Sequence, residues 1–378
     1  MCIVYDCLWP YSAGGAERWY RGLAEQLAAR GHDVTYLTRR QWIDGESPSF
    51  AGVEVRAVSS FSDLHGADGR RRFLPPVRFG LGIAWHLAIH GAGYDVVHTA
   101  SFPFFSLLAA SLVRRFRRYR LVVDWFEVWT PDYWQAYAGR LRGHIGALIQ
   151  GACLRVDQAA FCFARLTEAR LAENGVRVIA RLEGLYSGSA EVGRPAGEPT
   201  VVSVGRLIPE KQAVSVVGAI ALSRKAIPGL RAKILGDGPE LARVREAIRR
   251  AGLTDEVDAP GRTTDAAVGR ALADAFCLVS ASRREGYGLV IVEAAARGTP
   301  SVVGLAPDNA AVELIQDGVN GIVVRDTSPE ALAEGIVEVH RRSSALSAST
   351  TEWFARNATS LSLSNSVERV LAAYEHLS

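Results

Sequence analysis

The chain has 378 residues, 48% hydrophobic and 22% charged, which suits two globular domains of ordinary size and excludes a disordered or fibrous chain. A net charge of only +3, with basic residues spread over both halves, argues against nucleic acid as a partner. Five scattered cysteines with no C-x-x-C pair, and entry into a strand directly after Met1 with no charged leader or long apolar run, predict buried thiols, a cytoplasmic setting and no membrane anchor.

Taken in order, "MCIVYDCLW" reads as a strand, "PYSAGGAE" as a glycine-containing loop, "RWYRGLAEQLAARG" as an apolar-periodic helix and "HDVTYLT" as a second strand, together a βαβ unit. Further strands are expected at 53–58, 94–98 and 120–126, separated by helical patterns such as "FFSLLAASLVRRF". Alternation of this kind predicts a parallel, doubly wound α/β sheet. The stretch 183–200 carries Gly, Pro and Ser without periodicity and reads as a linker. Beyond it the pattern restarts with "TVVSVG", "AVSVVGAIALSRK", "RAKILG", "LARVREAIRRAG", "AFCLVSAS" and "PSVVGL". We therefore expect domains at 1–190 and 191–350, a Ser/Thr-rich segment at 343–351, and a C-terminal helical segment within 351–378 that is able to return to the first domain.

Three loops of the second half should converge at the carboxyl ends of parallel strands, where ligands bind in such sheets: "GRLIPEK", "GDGPE" and "RREGYGL". Arg206 and Lys211 lie on the first and read either as solvated loop charges or as a bracket around a pyrophosphate. Lys211, Lys225 and Lys233 are the only lysines among 43 basic residues, and a compact point charge suits a phosphate oxygen. Gly286 and Gly288 flank Tyr287 just before a helix, so backbone N–H groups can approach an anion there, unless the glycines merely end a strand. Glu285 and Glu293 stand on either side of that turn. Carboxylates repel phosphate but bind hydroxyls well, so the pair is expected to take the neutral alcohols of a sugar and a ribose while amides and cations hold the phosphates. Otherwise Glu293 is an ordinary surface residue of its helix.

"VGRLIPEK", "ILGDGPE" and "EGYGLVIVEAAARGTPSVV", in this order, resemble the donor domain of the family 4 retaining glycosyltransferases of GT-B fold, and "GGAE" at 14–17 resembles their first N-terminal loop. The resemblance implies two Rossmann-like doubly wound domains facing across a cleft, an acceptor domain first and a donor domain second. It implies a nucleotide-diphosphate sugar as donor substrate, held by Arg206, Lys211, Gly205, Gly236, Gly238 and the amides of Gly286, Tyr287, Gly288 and Leu289, with Glu285 on the sugar hydroxyls and Glu293 on the ribose. The acceptor would be a hydroxyl of a polysaccharide, lipid carrier or small natural product. "APDN" stands where many members have a Gly-Gly pair, which qualifies a sugar-recognition role for Asp308 and Asn309. No D-x-D motif is present, so no metal and no other cofactor is expected. Competing readings are a non-catalytic nucleotide-sugar-binding protein and a sugar-nucleotide epimerase on the same architecture. A phosphorylase needing a cofactor-linked lysine has few lysines to choose from, and a dinucleotide oxidoreductase lacks a complete G-x-G-x-x-G.

In the first domain, Gly14 and Gly15 read either as a tight turn or as backbone able to reach the donor phosphates. His98 ends a strand and reads as a structural histidine or as an acceptor-side group; Ala100 and Phe126 occupy places where the family often has histidine. Glu127 is the remaining charged candidate to position or deprotonate the acceptor, against a capping or ion-paired role. Three of the eight tryptophans, Trp125, Trp129 and Trp134, cluster with Phe126, Tyr133 and Tyr137, as packing or as a face for sugar rings or a membrane interface. The arginine cluster Arg114–Arg120 reads as a solvated helix end or as a weak peripheral contact with anionic lipid at the inner face of a membrane.

Overall fold

Short apolar strands bounded by glycine and polar turns build two parallel sheets in the computed structural model, which describes residues 1–378 except 13, 44–47, 49, 51, 65, 67–70, 189–192, 194–196 and 377–378. The chain divides into two units: Met1–Gly66 with Arg70–Leu185 and Ser362–Ser378, and Tyr186–Leu361.

The first unit runs β1 (Cys2–Val4), α1 (Gly15–Ala29), β2 (Val34–Arg39), β3 (Val53–Ser59), α2 (Leu74–His90), β4 (Val96–Ala100) and α3 (Phe105–Arg117). It continues through β5 (Arg120–Trp125), α4 (Pro131–Ala138), α5 (Arg140–Leu154), β6 (Ala159–Cys162), α6 (Arg165–Glu173) and β7 (Val178–Arg181). Strand order is β3-β2-β1-β4-β5-β6-β7, so the winding direction reverses between β1 and β4. Covered on both faces, β1, β2 and β4 are buried along their whole length, as central parallel strands require. One core joins the sheet to α2, α3 and α5 through Phe79, Ile83, Leu107, Ala110, Cys153 and Leu154.

The second unit contains β8 (Thr200–Val204), α7 (Ala213–Ser223), β9 (Arg231–Leu235), α8 (Leu241–Arg250), β10 (Val257–Gly261), α9 (Asp265–Asp274) and β11 (Cys277–Ser280). There follow β12 (Arg284–Glu285), α10 (Leu289–Ala295), β13 (Ser301–Gly304), β14 (Asp308–Asn309), β15 (Gly321–Val324) and α11 (Pro329–Asn357). Its main sheet has the order β10-β9-β8-β11-β13-β15, and the winding reverses between β8 and β11. The loops that leave these two strands are therefore neighbours.

The Ser/Thr-rich segment at 343–351 is helical. α11 passes through it with a single kink at Ser343, φ +29°. Its hydroxyls turn back onto the helix's own carbonyls, Thr350 Oγ1 to Leu346 at 2.7 Å and Thr351 Oγ1 to Ser347 at 3.1 Å. Leu346, Thr350 and Phe354 are buried, so an apolar stripe overrides the weak propensity of serine and threonine. The last helix, α12 (Leu363–His376), belongs to the first unit, where Ser366 Oγ accepts from the Gly184 amide at 3.0 Å and Tyr374 O accepts from Arg120 at 2.6 Å.

All five cysteines are buried thiols outside any disulfide, and burial pushes the Cys2, Cys7, Cys153 and Cys277 thiols up, which keeps them protonated and inert. His86, on α2 against Tyr94, moves the other way: burial first, then His90 and Arg56, lower its pKa from 6.5 to about 4. The unfolded chain then binds a proton between those two values that the folded chain does not, so folding stability falls as pH drops through that window. In His86→Gln, urea titrations at pH 5 and pH 7 should show a smaller loss of stability on acidification than in the parent chain, about one proton's linkage less.

Candidate functional site

Sequence places "GRLIPEK" and "GDGPE" after adjacent strands, and main-chain bonds then stitch the two loops together. Gly205 N–H donates to Leu235 O at 3.0 Å, Leu207 N–H to Asp237 O at 2.8 Å and Glu240 N–H to Leu207 O at 2.9 Å. Such proximity leaves no room for side chains: a Cβ on Gly236 would overlap Gly205 O and one on Gly238 would overlap Leu207 O. Glycine is thus a steric requirement at 236 and 238.

The third loop joins the first across the β8/β11 reversal. Arg283 N–H donates to Glu210 O at 2.8 Å, and Lys211 Nζ is ion-paired with Glu285. These two side chains come 74 residues apart in sequence and remain 23% and 22% exposed, so a ligand can reach both. Arg206 is exposed on the same loop and has no ion-pair partner among the described residues. Beyond Glu285, the buried Gly286 and Tyr287 lead into Gly288, which caps α10 at φ +100°. A Cβ there would sit 2.7 Å from Ala311 Cβ, so glycine is dictated both by conformation and by space. Leu289 opens α10, and Glu293 lies half-buried just over one turn along it, its carbonyl accepting from Arg297 at 2.7 Å.

β12 pairs in parallel with β14, setting Arg284 opposite Asp308 and Glu285 opposite Asn309. This two-residue ladder carries "APDN" to the side of Glu285. The Asn309 side chain is nevertheless committed elsewhere: it is buried, its Nδ2 donates to Gly304 O at 2.9 Å and its Oδ1 accepts from Ala311 N–H at 3.2 Å. The Asn309 side chain thus shapes the loop.

In the first unit the expected residues occupy different environments. His98 is fully buried, with Nδ1 2.7 Å from the Tyr374 hydroxyl of α12 and Nε2 2.9 Å from Asp124 Oδ1, close enough for electrostatic pairing though off the line of a straight hydrogen bond. Asp124 also accepts from Trp19 Nε1 of α1 at 2.7 Å. His98 therefore ties β4, β5 and α12 together as a buried group. Gly14 caps α1 beneath the Glu17 carboxylate, which a Cβ at 14 would strike and which also accepts from Ser12 Oγ at 3.0 Å. That carboxylate already stands where the helix dipole favours an anion, which opposes a phosphate role for Gly14. Gly15 faces open space: a Cβ there would meet no atom within 4 Å. Glu127 is half-buried and accepts from Trp129 Nε1 at 2.8 Å. Trp129 in turn packs on Phe102, Tyr133, Trp134 and Tyr137 at centroid distances of 4.5–5.9 Å.

One pair in this unit lies outside the expected set. Asp6, just past β1, is ion-paired with Arg71, whose guanidinium also lies 4.7 Å over the Phe102 ring. Burial alone would lower the Arg71 pKa, but Asp6, together with Cys7 and Tyr5, more than reverses this and raises it. The available signal was an aspartate inside an otherwise apolar strand, "CIVYDCLW"; its partner, 65 residues away, carried none.

Comparison with known proteins places both units. Residues 189–352 match the family described as Glycosyl transferases group 1, and residues 14–205 match the Glycosyl transferase 4-like domain, which takes in half of the chain. The chain belongs to the glycosyltransferase 4-like family. One relative of this member is the GDP-mannose-dependent alpha-(1-6)-phosphatidylinositol monomannoside mannosyltransferase of Mycobacterium tuberculosis, 32% identical over 41% of this chain and 42% of the relative. Another is the exopolysaccharide phosphotransferase SCO2592 of Streptomyces coelicolor, 32% identical over 89% of this chain and 36% of the relative. The matches thus span less than half the length of these curated relatives. Sucrose-phosphate synthase from Thermosynechococcus elongatus shares the fold, with a TM-score of 0.81 at 20% identity over 100% of this chain and 98% of that one. Anabaena Alr3699/HepE in complex with UDP-glucose gives 0.76 at 15% identity over 99% of both chains. At these identities the likeness is one of fold, the GT-B arrangement of Rossmann-like units.

Proposed function

We propose that this family member is a retaining glycosyltransferase that moves a sugar from a nucleotide-diphosphate donor to a hydroxyl acceptor without a metal ion. The observation that carries the reading is the Lys211–Glu285 pair, set between glycine-lined loops at the reversal of the second sheet. In the structure the two charges satisfy each other. A bound sugar nucleotide would give each a better-matched partner, the diphosphate for Lys211 and the sugar hydroxyls for Glu285.

Charge then drives the reaction. The bond between the anomeric carbon and the diphosphate oxygen breaks, negative charge grows on the leaving group, and Arg206, Lys211 and the amides of Gly286 to Leu289 stabilise it because they are fixed beforehand. The acceptor oxygen attacks from the same face, and its proton passes to the departing phosphate. Retention rests on family resemblance, and metal independence on the lack of a D-x-D motif in the sequence. Of the proteins named above, the mannosyltransferase is GDP-mannose-dependent and Alr3699/HepE is in complex with UDP-glucose, which supports a sugar nucleotide as donor. We place Glu127 on the acceptor side and Glu293 at the ribose.

Donor hydrolysis without acceptor, measured over a panel of nucleotide sugars with thermal shift run in parallel, tests the reading. One donor should raise the melting temperature with the logarithm of its concentration and should also be turned over. Binding without turnover would support a non-catalytic binder, and C4- or C2-inverted nucleotide sugar as product would support an epimerase. Glu293→Gln should raise KM for that donor about tenfold with kcat little changed, since ribose is gripped alike in ground and transition states.

A further inference from the structure

We propose that the outer face of α2, α3 and α5 is a docking surface for an anionic lipid bilayer. The three helices cross from β3 to β4, β4 to β5 and β5 to β6, all in one direction along the sheet, and right-handed crossovers put them on the same side. α3 packs against both of the others, so their outer surfaces are continuous.

A surface helix normally turns polar residues outward. α2 is apolar on both faces: Phe79, Ile83 and Leu87 fill the core, while Leu81 and Trp85 on the far side are 66% and 73% exposed. α3 adds Phe116 at 78%, and α5 adds Leu141 and Leu148 at 75% and 61%. Large apolar side chains left exposed on three adjoining helices mark an interaction site.

Charge selects the occupant. No residue of α2, α3 or α5 is acidic, in a chain with 40 Asp and Glu, whereas these helices carry Arg78, Arg114, Arg115, Arg117, Arg140 and Arg142. Arg114 is paired with Asp157 and Arg117 donates to Ala88 O, but Arg115 and the adjoining Arg118 have no ion-pair partner among the described residues. A second copy docking through the same face would set arginines against arginines. An anionic bilayer offers hydrocarbon for Trp85 and Phe116 and phosphate for the arginines at once. No described helix is long and apolar enough to cross a membrane, so the contact lies in the plane of the interface.

Flotation of the full chain with vesicles of phosphatidylcholine alone, and of phosphatidylcholine mixed equally with phosphatidylglycerol, tests this. The chain should float with the anionic vesicles only, and Trp85→Ser/Phe116→Ser and Arg115→Gln/Arg118→Gln should each weaken partition at least about tenfold. Because all four side chains lie at the surface, melting temperatures should stay unchanged, and a folded variant remains readable. Failure to float with anionic vesicles, equal partition to both vesicle types, partition untouched by both double variants, or a dimer in light scattering that Trp85→Ser dissociates would overturn the proposal.

Discussion

Lys211→Ala should lower kcat/KM for donor turnover about 10²–10³-fold, the effect of deleting one preorganised charge that faces a developing anion. Lys211 is partly exposed and its ion-pair partner Glu285 is similarly exposed, so the loss in folding stability should stay within about 1 kcal/mol. Activity and stability are thereby separated. Lys211→Arg should recover only part of the rate, because a planar guanidinium cannot occupy the same point between Gly205 and Glu285. Steady-state kinetics on the donor found in the panel, with a thermal melt of each variant, checks both statements. A variant that keeps the parent rate would remove Lys211 from the proposed chemistry.

Gly236→Ala should have the opposite signature, losing stability and donor binding together. Gly236 has φ +146°, outside the range an alanine adopts comfortably, and its Cβ would overlap the Gly205 carbonyl, which is backbone and has no rotamer to escape into. Either the first two loops separate, breaking the bonds from Gly205 to Leu235 and from Leu207 to Asp237, or the strand ends shift. We expect about 2–4 kcal/mol of destabilisation. The control is Gly15→Ala, which meets open space and should leave the melt unchanged or slightly raised. Chemical denaturation of the three proteins decides the matter.

Much of this architecture was legible because parallel strands and their covering helices follow strong rules. Apolar runs such as "VVSV" and "CLVS", each ended by glycine or a polar turn, sit in the sheet where periodicity puts them. Loops that carry "RLIPEK" and "REGYG" were readable as neighbours, since the order of βαβ units places their strands side by side. The Lys211–Glu285 pairing itself was not readable, because it depends on side-chain reach between loops far apart in sequence. Asn309 shows a different limit: its residue type suits sugar recognition and turn capping equally, and only the bonds to Gly304 and Ala311 reveal which one consumes the side chain. His98 likewise reads in the sequence as the end of a strand at a ligand-binding edge, yet β4 continues to Ala100, and its partner Tyr374 arrives from the far end of the chain and seals it into the core. The helical Ser/Thr-rich stretch of α11 is an instance of tertiary burial overriding local preference.

The most direct test is a crystal structure of the full chain soaked with the donor that the thermal screen selects. The diphosphate should lie against Lys211, Arg206 and the amides from Gly286 to Leu289, with Glu285 on sugar hydroxyls and Glu293 on the ribose. Donor bound with its phosphates away from these groups, or a Lys211–Glu285 pair left intact beneath a bound donor, would contradict the proposed mechanism.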